Sequence, residues 1–356
     1  MPTDQTLMLR AITLAARGWG RVHPNPLVGA LVVRGTDLIS DGWHAEFGGP
    51  HAERVALDAA GSAARGATLY STLEPCTHTG KQPPCVDAII DAGIVRVVVA
   101  NADPNPAAGG GIARLRQSGI VVDEDILALE AARLNFRFLH SFGASPRPFV
   151  AIKLAVSMDG RVADAAGESR WLSGTEARTW VHWLRAGFGG VGVGGKTAEQ
   201  DNVRLTVRAA QQPRLPPTRV VFDRNGRITP AHGIFADARE VPVVVVVGSQ
   251  VSSVRRADLE RTGAKVLVAD HLAVGLAALA AAGVDSLLVE GGGRLAGALL
   301  REALVDRIYQ VQCPLWLGHG VPAWETLGDT TIETAPRWKV IERQSLGCDT
   351  LIVMEP

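Results

Sequence analysis

Cysteine, net charge and long apolar runs are all scarce in this chain of 356 residues. Four cysteines cannot build a disulfide framework in a chain of this length. A reducing compartment is therefore expected, and clustered cysteines become candidates for metal binding or catalysis. Neither sign of charge is in excess, because 36 Lys and Arg face 36 Asp and Glu. A domain that grips nucleic acid by bulk charge is basic, so no nucleic-acid partner is expected. The longest run of Val, Ile and Leu is the five valines from Val243 to Val247. That suits a buried strand and falls far short of a bilayer span, so no membrane partner is expected either. The N-terminus lacks a basic segment followed by an apolar stretch, which predicts no secretory signal and a cytoplasmic location. With 47% hydrophobic and 20% charged residues, the chain has ample material to offset its conformational entropy.

The length suggests two domains. The best boundary is His140-Ser-Phe-Gly-Ala-Ser-Pro-Arg-Pro148, a poor helix and a poor strand. It divides the chain into residues 1–144 and 145–356. In the first part, helical spacing covers Leu7–Arg17, His51–Ala60 and Cys85–Ala92. Strand signals cover Val28–Val33, Ala67–Leu73 and Ile94–Ala100. Strands separated by short helices predict an α/β domain with a mostly parallel sheet. The second part is also α/β. Strands are expected at Phe149–Val156, Gly189–Gly195, Thr218–Asp223, Val241–Val247 and Ser286–Glu290, and helices at Thr175–Ala186 and Arg294–Glu302.

The sharpest chemical signal is His51-Ala52-Glu53, followed by Pro75-Cys76 and then by Cys85. One imidazole and two thiolates suit a tetrahedral Zn²⁺ with one open position. Such an ion activates a water that attacks an electron-poor carbon. Glu53 can reach that water without ligating the metal, the arrangement of zinc deaminases. Their second cysteine usually follows the first closely. Here eight residues intervene, so Thr77–Pro84 must form a loop beside the metal. Both His51 and Cys85 are read as opening helices, and a helix N-terminus favours thiolate. The competing readings are buried cysteines acting as small apolar side chains, and His78 as an alternative ligand.

Three stretches of the first half strongly resemble the deaminase half of the bifunctional riboflavin biosynthesis deaminase-reductases. They are Pro24-Asn-Pro-Leu-Val-Gly29, Gly42-Trp-His-Ala-Glu-Phe-Gly-Gly-Pro-His-Ala-Glu53 and Thr72-Leu-Glu-Pro-Cys-Thr-His-Thr-Gly-Lys-Gln-Pro-Pro-Cys85. Lys153-Leu-Ala-Val-Ser-Met-Asp-Gly160, Gly167-Glu-Ser-Arg-Trp171, Leu205-Thr-Val-Arg208 and Glu290-Gly-Gly-Gly293 resemble its reductase half. The resemblance implies a cytidine-deaminase-like domain over 1–144 and a dihydrofolate-reductase-like domain over 145–356. It implies zinc-dependent hydrolytic deamination of 2,5-diamino-6-(5-phosphoribosylamino)pyrimidin-4(3H)-one. The ribosyl group of 5-amino-6-(5-phosphoribosylamino)uracil is then reduced to ribityl by NADPH. Members of the family commonly associate, so a homodimer is expected.

Residue by residue, the resemblance makes His51, Cys76 and Cys85 the zinc ligands and Glu53 the proton shuttle. Asn25, His44, His78 and Lys81 fall on substrate positions of the deaminase. In the reductase, Ser169, Arg185, Leu205, Arg208 and Glu290 fall on the substrate side. Ala155, Trp171, Thr197, Asp201 and the run Gly292, Gly293, Arg294, Leu295, Ala296, Gly297 and Ala298 fall on the cofactor side. Arg185 and Arg208 are sensible phosphate partners, since a guanidinium binds phosphate bidentately. The glycines before a helix suit a pyrophosphate.

Gly187-Phe-Gly-Gly-Val-Gly192 satisfies the dinucleotide fingerprint. It follows a helix signal and opens a strand, the reverse of a Rossmann turn, so that reading is rejected. These glycines are expected to let a cofactor approach the backbone. The rival function is a zinc base deaminase acting on RNA with a C-terminal binding domain. Zero net charge and the lack of an arginine-rich arm count against it.

Overall fold

The computed structural model describes residues 2–80, 82–208, 212–325, 327–328 and 331–356. It divides into two compact units, Met1–Ala144 and Ser145–Pro356. Of the linker stretch, His140 and Ser141 still belong to a helix, and no regular structure follows until Phe149.

The first unit runs α1 (Asp4–Ala15), β1 (Gly29–Arg34), β2 (Asp37–Trp43), α2 (Ala52–Ala60), β3 (Thr68–Leu73), α3 (Cys85–Asp91), β4 (Arg96–Asn101), α4 (Gly111–Gln117), β5 (Val121–Asp123), α5 (Ala128–Leu134) and α6 (Phe136–Ser141). Helix α1 starts earlier than its apolar spacing predicts, because the Thr3 hydroxyl caps it by accepting from the Thr6 N–H. The strand order is β2-β1-β3-β4-β5. Strand β1 is antiparallel to both its neighbours, and only β3, β4 and β5 run parallel. The sheet is therefore mixed, which corrects the expectation of a mostly parallel one. The reason is β2, an edge strand of sequence DLISDGW that carries too many polar residues to show an aliphatic run.

Alternation along β1 builds two apolar layers. Ala30 and Val32 pack with Ala52, Ala56, Val86, Ile89 and Leu115 beneath α2, α3 and α4. Leu31 and Val33 pack with Leu7, Met8, Ala11 and Leu14 of α1 on the opposite face. Gly42 lets α2 lie directly on β2, since a Cβ there would stand 2.7 Å from the Ala52 carbonyl oxygen and 2.7 Å from the Ala56 nitrogen. That contact seats the N-terminal turn of α2. Gly42→Val is expected to cost about 1–3 kcal/mol of stability through overpacking. It should also shift the N-terminal turn of α2 and lower metal occupancy. Thermal unfolding and zinc stoichiometry measure the two effects, and wild-type values for both would refute this close packing.

The second unit runs β6 (Phe149–Ser157), β7 (Arg161–Ala163), α7 (Thr175–Ala186), β8 (Gly190–Gly194), α8 (Gly195–Asp201), β9 (Thr218–Phe222), β10 (Val243–Val247), α9 (Ser253–Glu260), β11 (Lys265–Val268), α10 (Leu272–Ala281), β12 (Ser286–Glu290), α11 (Gly293–Arg301), β13 (Arg307–Cys313), β14 (Val321–Pro322), β15 (Lys339–Leu346) and β16 (Asp349–Glu355). Nine strands form one sheet in the order β11-β10-β9-β8-β12-β6-β13-β16-β15. From β11 to β13 neighbours are parallel, and β16 and β15 close the sheet antiparallel. The five valines of β10 are all buried because both faces are covered. Val244 and Val246 pack with Leu276 and Leu279 of α10, whereas Val243, Val245 and Val247 pack with Leu259 of α9.

Gly190 and Gly192 face the side chains of neighbouring strands and not the larger cavity of this unit, contrary to expectation. A Cβ at Gly190 would stand 2.9 Å from Val284 Cγ1 and 3.2 Å from Leu287 Cδ1, so the missing side chain makes room for the neighbouring strand. No described helix is long and apolar enough to cross a membrane.

Candidate active sites

Three segments converge on one point in the first unit. His51 is the N-cap of α2, in extended backbone that turns its ring back over the helix start. Cys76 lies three residues beyond β3, and Cys85 is the first residue of α3. Ligand atoms of the three residues lie within 4.8 Å of one another. His51 Nδ1 stands 3.3 Å from Cys85 Sγ and 3.6 Å from Cys76 Sγ. With Zn–S near 2.3 Å and Zn–N near 2.0 Å, a tetrahedral ion sets its ligands roughly 3.5–3.8 Å apart, so the donor set fits zinc. Among the described residues the cluster comprises two thiols and one imidazole. His78 lines the adjoining cavity but lies outside this cluster.

The cluster opens on a cavity of about 410 Å³ lined by Asn25, His44, His51, Glu53, Cys76 and His78. Glu53 is only 4% exposed, and burial pushes its carboxyl up to about 7 against the opposing charge of His51. The hydrogen bond from Cys85 lowers the Cys76 thiol to about 4, and the same bond together with burial raises Cys85. His44 is fixed by its two partners. Its Nδ1 lies 2.9 Å from the Pro50 carbonyl, so it donates there, and its Nε2 accepts from Asn25 Nδ2 at 3.1 Å. Burial lowers its pKa and keeps the ring neutral. Lys81, the fourth expected substrate contact, lies outside the described residues.

Sequence reasoning passed over Glu74, Asp103 and Asn105. The buried Glu74 accepts from the Asp103 N–H at 3.0 Å and the Ile112 N–H at 2.9 Å, bracing the loop after β4. That loop brings Asp103 and Asn105 to the cavity wall. The signal was available in Asn101-Ala-Asp-Pro-Asn-Pro106, a polar turn at the C-terminal end of a parallel strand.

The second unit holds a cavity of about 1020 Å³. Ser169, Arg185, Leu205, Arg208 and Glu290 line it, as do Ala155, Trp171, Thr197, Asp201 and the run from Gly291 to Leu295. Ala296, Gly297 and Ala298 do not. Ala296 is wholly buried among apolar side chains, and all three lie further along α11. Gly291 and Gly292 have φ of 69° and 45°, and Cβ atoms there would stand 2.9 Å from Thr197, so this tight turn needs both glycines. Trp171 is 71% exposed, with the Arg178 guanidinium 4.7 Å above its ring.

Arg185 and Glu290 form a bidentate pair at 2.6 and 2.7 Å, and a third Arg185 donor reaches the Thr206 carbonyl at 2.8 Å. Burial works to raise the Glu290 carboxyl, but Arg185 outweighs it and holds Glu290 below the usual range. Three of the five guanidinium donors of Arg185 are thus occupied. Arg208 has no carboxylate partner among the described residues. Lys153, quoted in a motif but given no role, lines the same cavity between β12 and β13. Burial lowers its pKa, with Glu290 opposing.

Residues 1–101 match the family model of the cytidine and deoxycytidylate deaminase zinc-binding region, and residues 148–352 match that of the RibD C-terminal domain. The riboflavin biosynthesis protein RibD of Escherichia coli is 38% identical, with 98% of each chain covered. That of Aquifex aeolicus is 37% identical over 98% of this chain and 97% of its own. A solved deaminase-reductase from Thermotoga maritima superposes with a TM-score of 0.82 at 35% identity, covering 99% of this chain and 98% of that one. Acinetobacter baumannii RibD gives 0.81 at 35%, with the same coverage. Fold and sites together define a zinc-dependent deaminase joined to an NADPH-dependent reductase. The chain belongs to the RibD family of bifunctional riboflavin biosynthesis enzymes.

Proposed function

We propose that residues 1–144 deaminate the phosphoribosylamino-diaminopyrimidine and that residues 145–356 reduce the ribosyl group of the resulting uracil to ribityl. The observation that carries this reading is a buried Glu53 beside the His51, Cys76 and Cys85 cluster, on the wall of a cavity that also presents Asn25. When bound there, zinc supplies a Lewis acid that makes water nucleophilic at neutral pH. Glu53 takes the proton of that water and delivers it to the departing ammonia. Asn25 presents its amide to the pyrimidine edge, held in orientation by His44. His78 and Lys81 complete the substrate contacts.

In the second unit the Gly291–Leu295 turn, Thr197, Asp201, Ala155 and Trp171 would hold the cofactor, and the backbone N–H groups at the start of α11 would suit its pyrophosphate. NADPH supplies hydride. Ser169 and Arg208 meet the substrate phosphate, Leu205 packs on the pyrimidine and Glu290 hydrogen-bonds it. Lys153 gives a proton to the ribose ring oxygen as the C1′–O bond breaks, and the iminium carbon C1′ that remains bonded to nitrogen takes the hydride. Zero net charge supports a small-molecule enzyme without a nucleic-acid partner, and we place it in the cytoplasm as a homodimer without a membrane partner. Incubating the protein with the diaminopyrimidine should exchange an amino group for oxygen with release of ammonia. Adding NADPH should then add two hydrogens. Reduction without prior ammonia loss, or no ammonia from a zinc-loaded enzyme, would refute the assignment.

A further inference from the structure

One corner of the larger cavity sets donor against donor. His182 lies on α7, three residues before Arg185, and faces Arg208. The Arg208 backbone N–H donates to His182 Nδ1 at 3.2 Å. Burial and the charges of Arg185 and Arg208 push the imidazole down to about 4, so the ring is neutral. A neutral ring that accepts at Nδ1 carries its proton on Nε2. That Nε2–H faces Arg208 Nη2 at 3.2 Å, a donor against a donor. Among the described residues the other contact of the Arg208 guanidinium is the neutral Thr206 hydroxyl at 3.4 Å. The Thr206 carbonyl receives Arg185 and is also shared with the His182 ring, and Glu290 is filled by Arg185. Two donors therefore face each other, with only the shared, neutral oxygens of Thr206 beside them among the described residues, and an anionic oxygen would satisfy both.

We propose that His182 binds the substrate phosphate directly, its Nε2–H and the Arg208 guanidinium closing on the same group. This rests on the reading above that Arg208 takes the phosphate. The imidazole then does two jobs. Nδ1 anchors the Arg208 backbone, and Nε2 adds a neutral donor that Arg185, bound to Glu290, is poorly placed to supply.

Two substitutions separate those jobs. The Asn oxygen in His182→Asn reaches the position of Nδ1 and keeps the anchor, but provides no donor at Nε2. The Gln amide in His182→Gln reaches the position of Nε2 and restores the donor. Reduction is measured in the full chain at saturating NADPH, with the phosphorylated uracil and with its dephosphorylated form. His182→Asn is expected to raise KM for the phosphorylated substrate by about tenfold or more, as for loss of a hydrogen bond to a charged group, with little change in kcat. His182→Gln should recover most of that loss. Turnover of the dephosphorylated substrate should respond to neither. An unchanged KM in His182→Asn, or equal losses on both substrates, would overturn the role of His182. Arg208→Gln tests the layer beneath. If it handles both substrates as the wild type does, the phosphate does not sit here and the assignment of Arg208 falls with that of His182. If only Arg208→Gln loses its preference for the phosphorylated substrate, His182 alone is refuted.

Discussion

Glu53→Gln is expected to lower deamination by about 10²–10⁴-fold, the usual worth of a positioned general acid–base. Zinc content should stay at one per chain. The substitution is nearly isosteric, and Glu53 sits within the first turn of α2 without joining the His51, Cys76 and Cys85 cluster. It is 4% exposed and in a cavity, so the amide stays where the carboxylate was. What it loses is the capacity to take up a proton and return it. Burial already pushes the native carboxyl up to about 7, so a neutral side chain is tolerated and the fold should not suffer. Reduction of the deaminated uracil, supplied directly, should proceed at the wild-type rate. The measurements are ammonia release, zinc by atomic absorption and NADPH oxidation. Near-normal ammonia release would remove Glu53 from the proton path. Loss of zinc would instead make it a ligand, and the open position of the metal would have to be abandoned.

Much of this first site is legible in the sequence because its residues are fixed by local rules. His51 must end an extended segment and open a helix, and Cys85 follows two prolines that cannot continue a strand. Contact between the segments is a tertiary fact, yet the donor types alone imply it, since one imidazole and two thiolates have few other reasons to share a motif with a carboxylate. The sheet is less legible. Strand β2 and the C-terminal strands β13, β15 and β16 alternate or lie at an edge, so they carry polar residues where a buried strand carries a valine run. Gly190 and Gly192 are hard to interpret from sequence because a missing side chain looks the same whether a cofactor or a neighbouring strand fills the space. The corner formed by His182 and Arg208 escapes notice because their pairing spans 26 residues and depends on which ring nitrogen accepts.

Lys153→Met is expected to reduce NADPH-dependent turnover by about 10²–10⁴-fold while leaving deamination intact. Lys153 stands on β6 directly across from Glu290 on β12 and lines the cavity in which the ribose must open. Breaking the ribose C1′–O bond leaves charge on the ring oxygen, and the C1′ iminium that receives the hydride forms only as fast as that charge is met. An ammonium on the cavity wall meets it, whereas Arg185 is already bound to Glu290. Methionine matches the stem of the lysine, and Glu290 keeps its bidentate partner, so the variant should fold. The pH profile provides an independent check. Burial lowers the lysine pKa, so the ammonium is lost as pH rises, earlier than the ordinary value near 10.4. Wild-type reduction should therefore fall on an alkaline limb below that value, and the residual activity of Lys153→Met should lack this limb. If the variant reduces at the wild-type rate, or keeps the same alkaline limb, the proton comes from water or another group and Lys153 is confined to balancing Glu290.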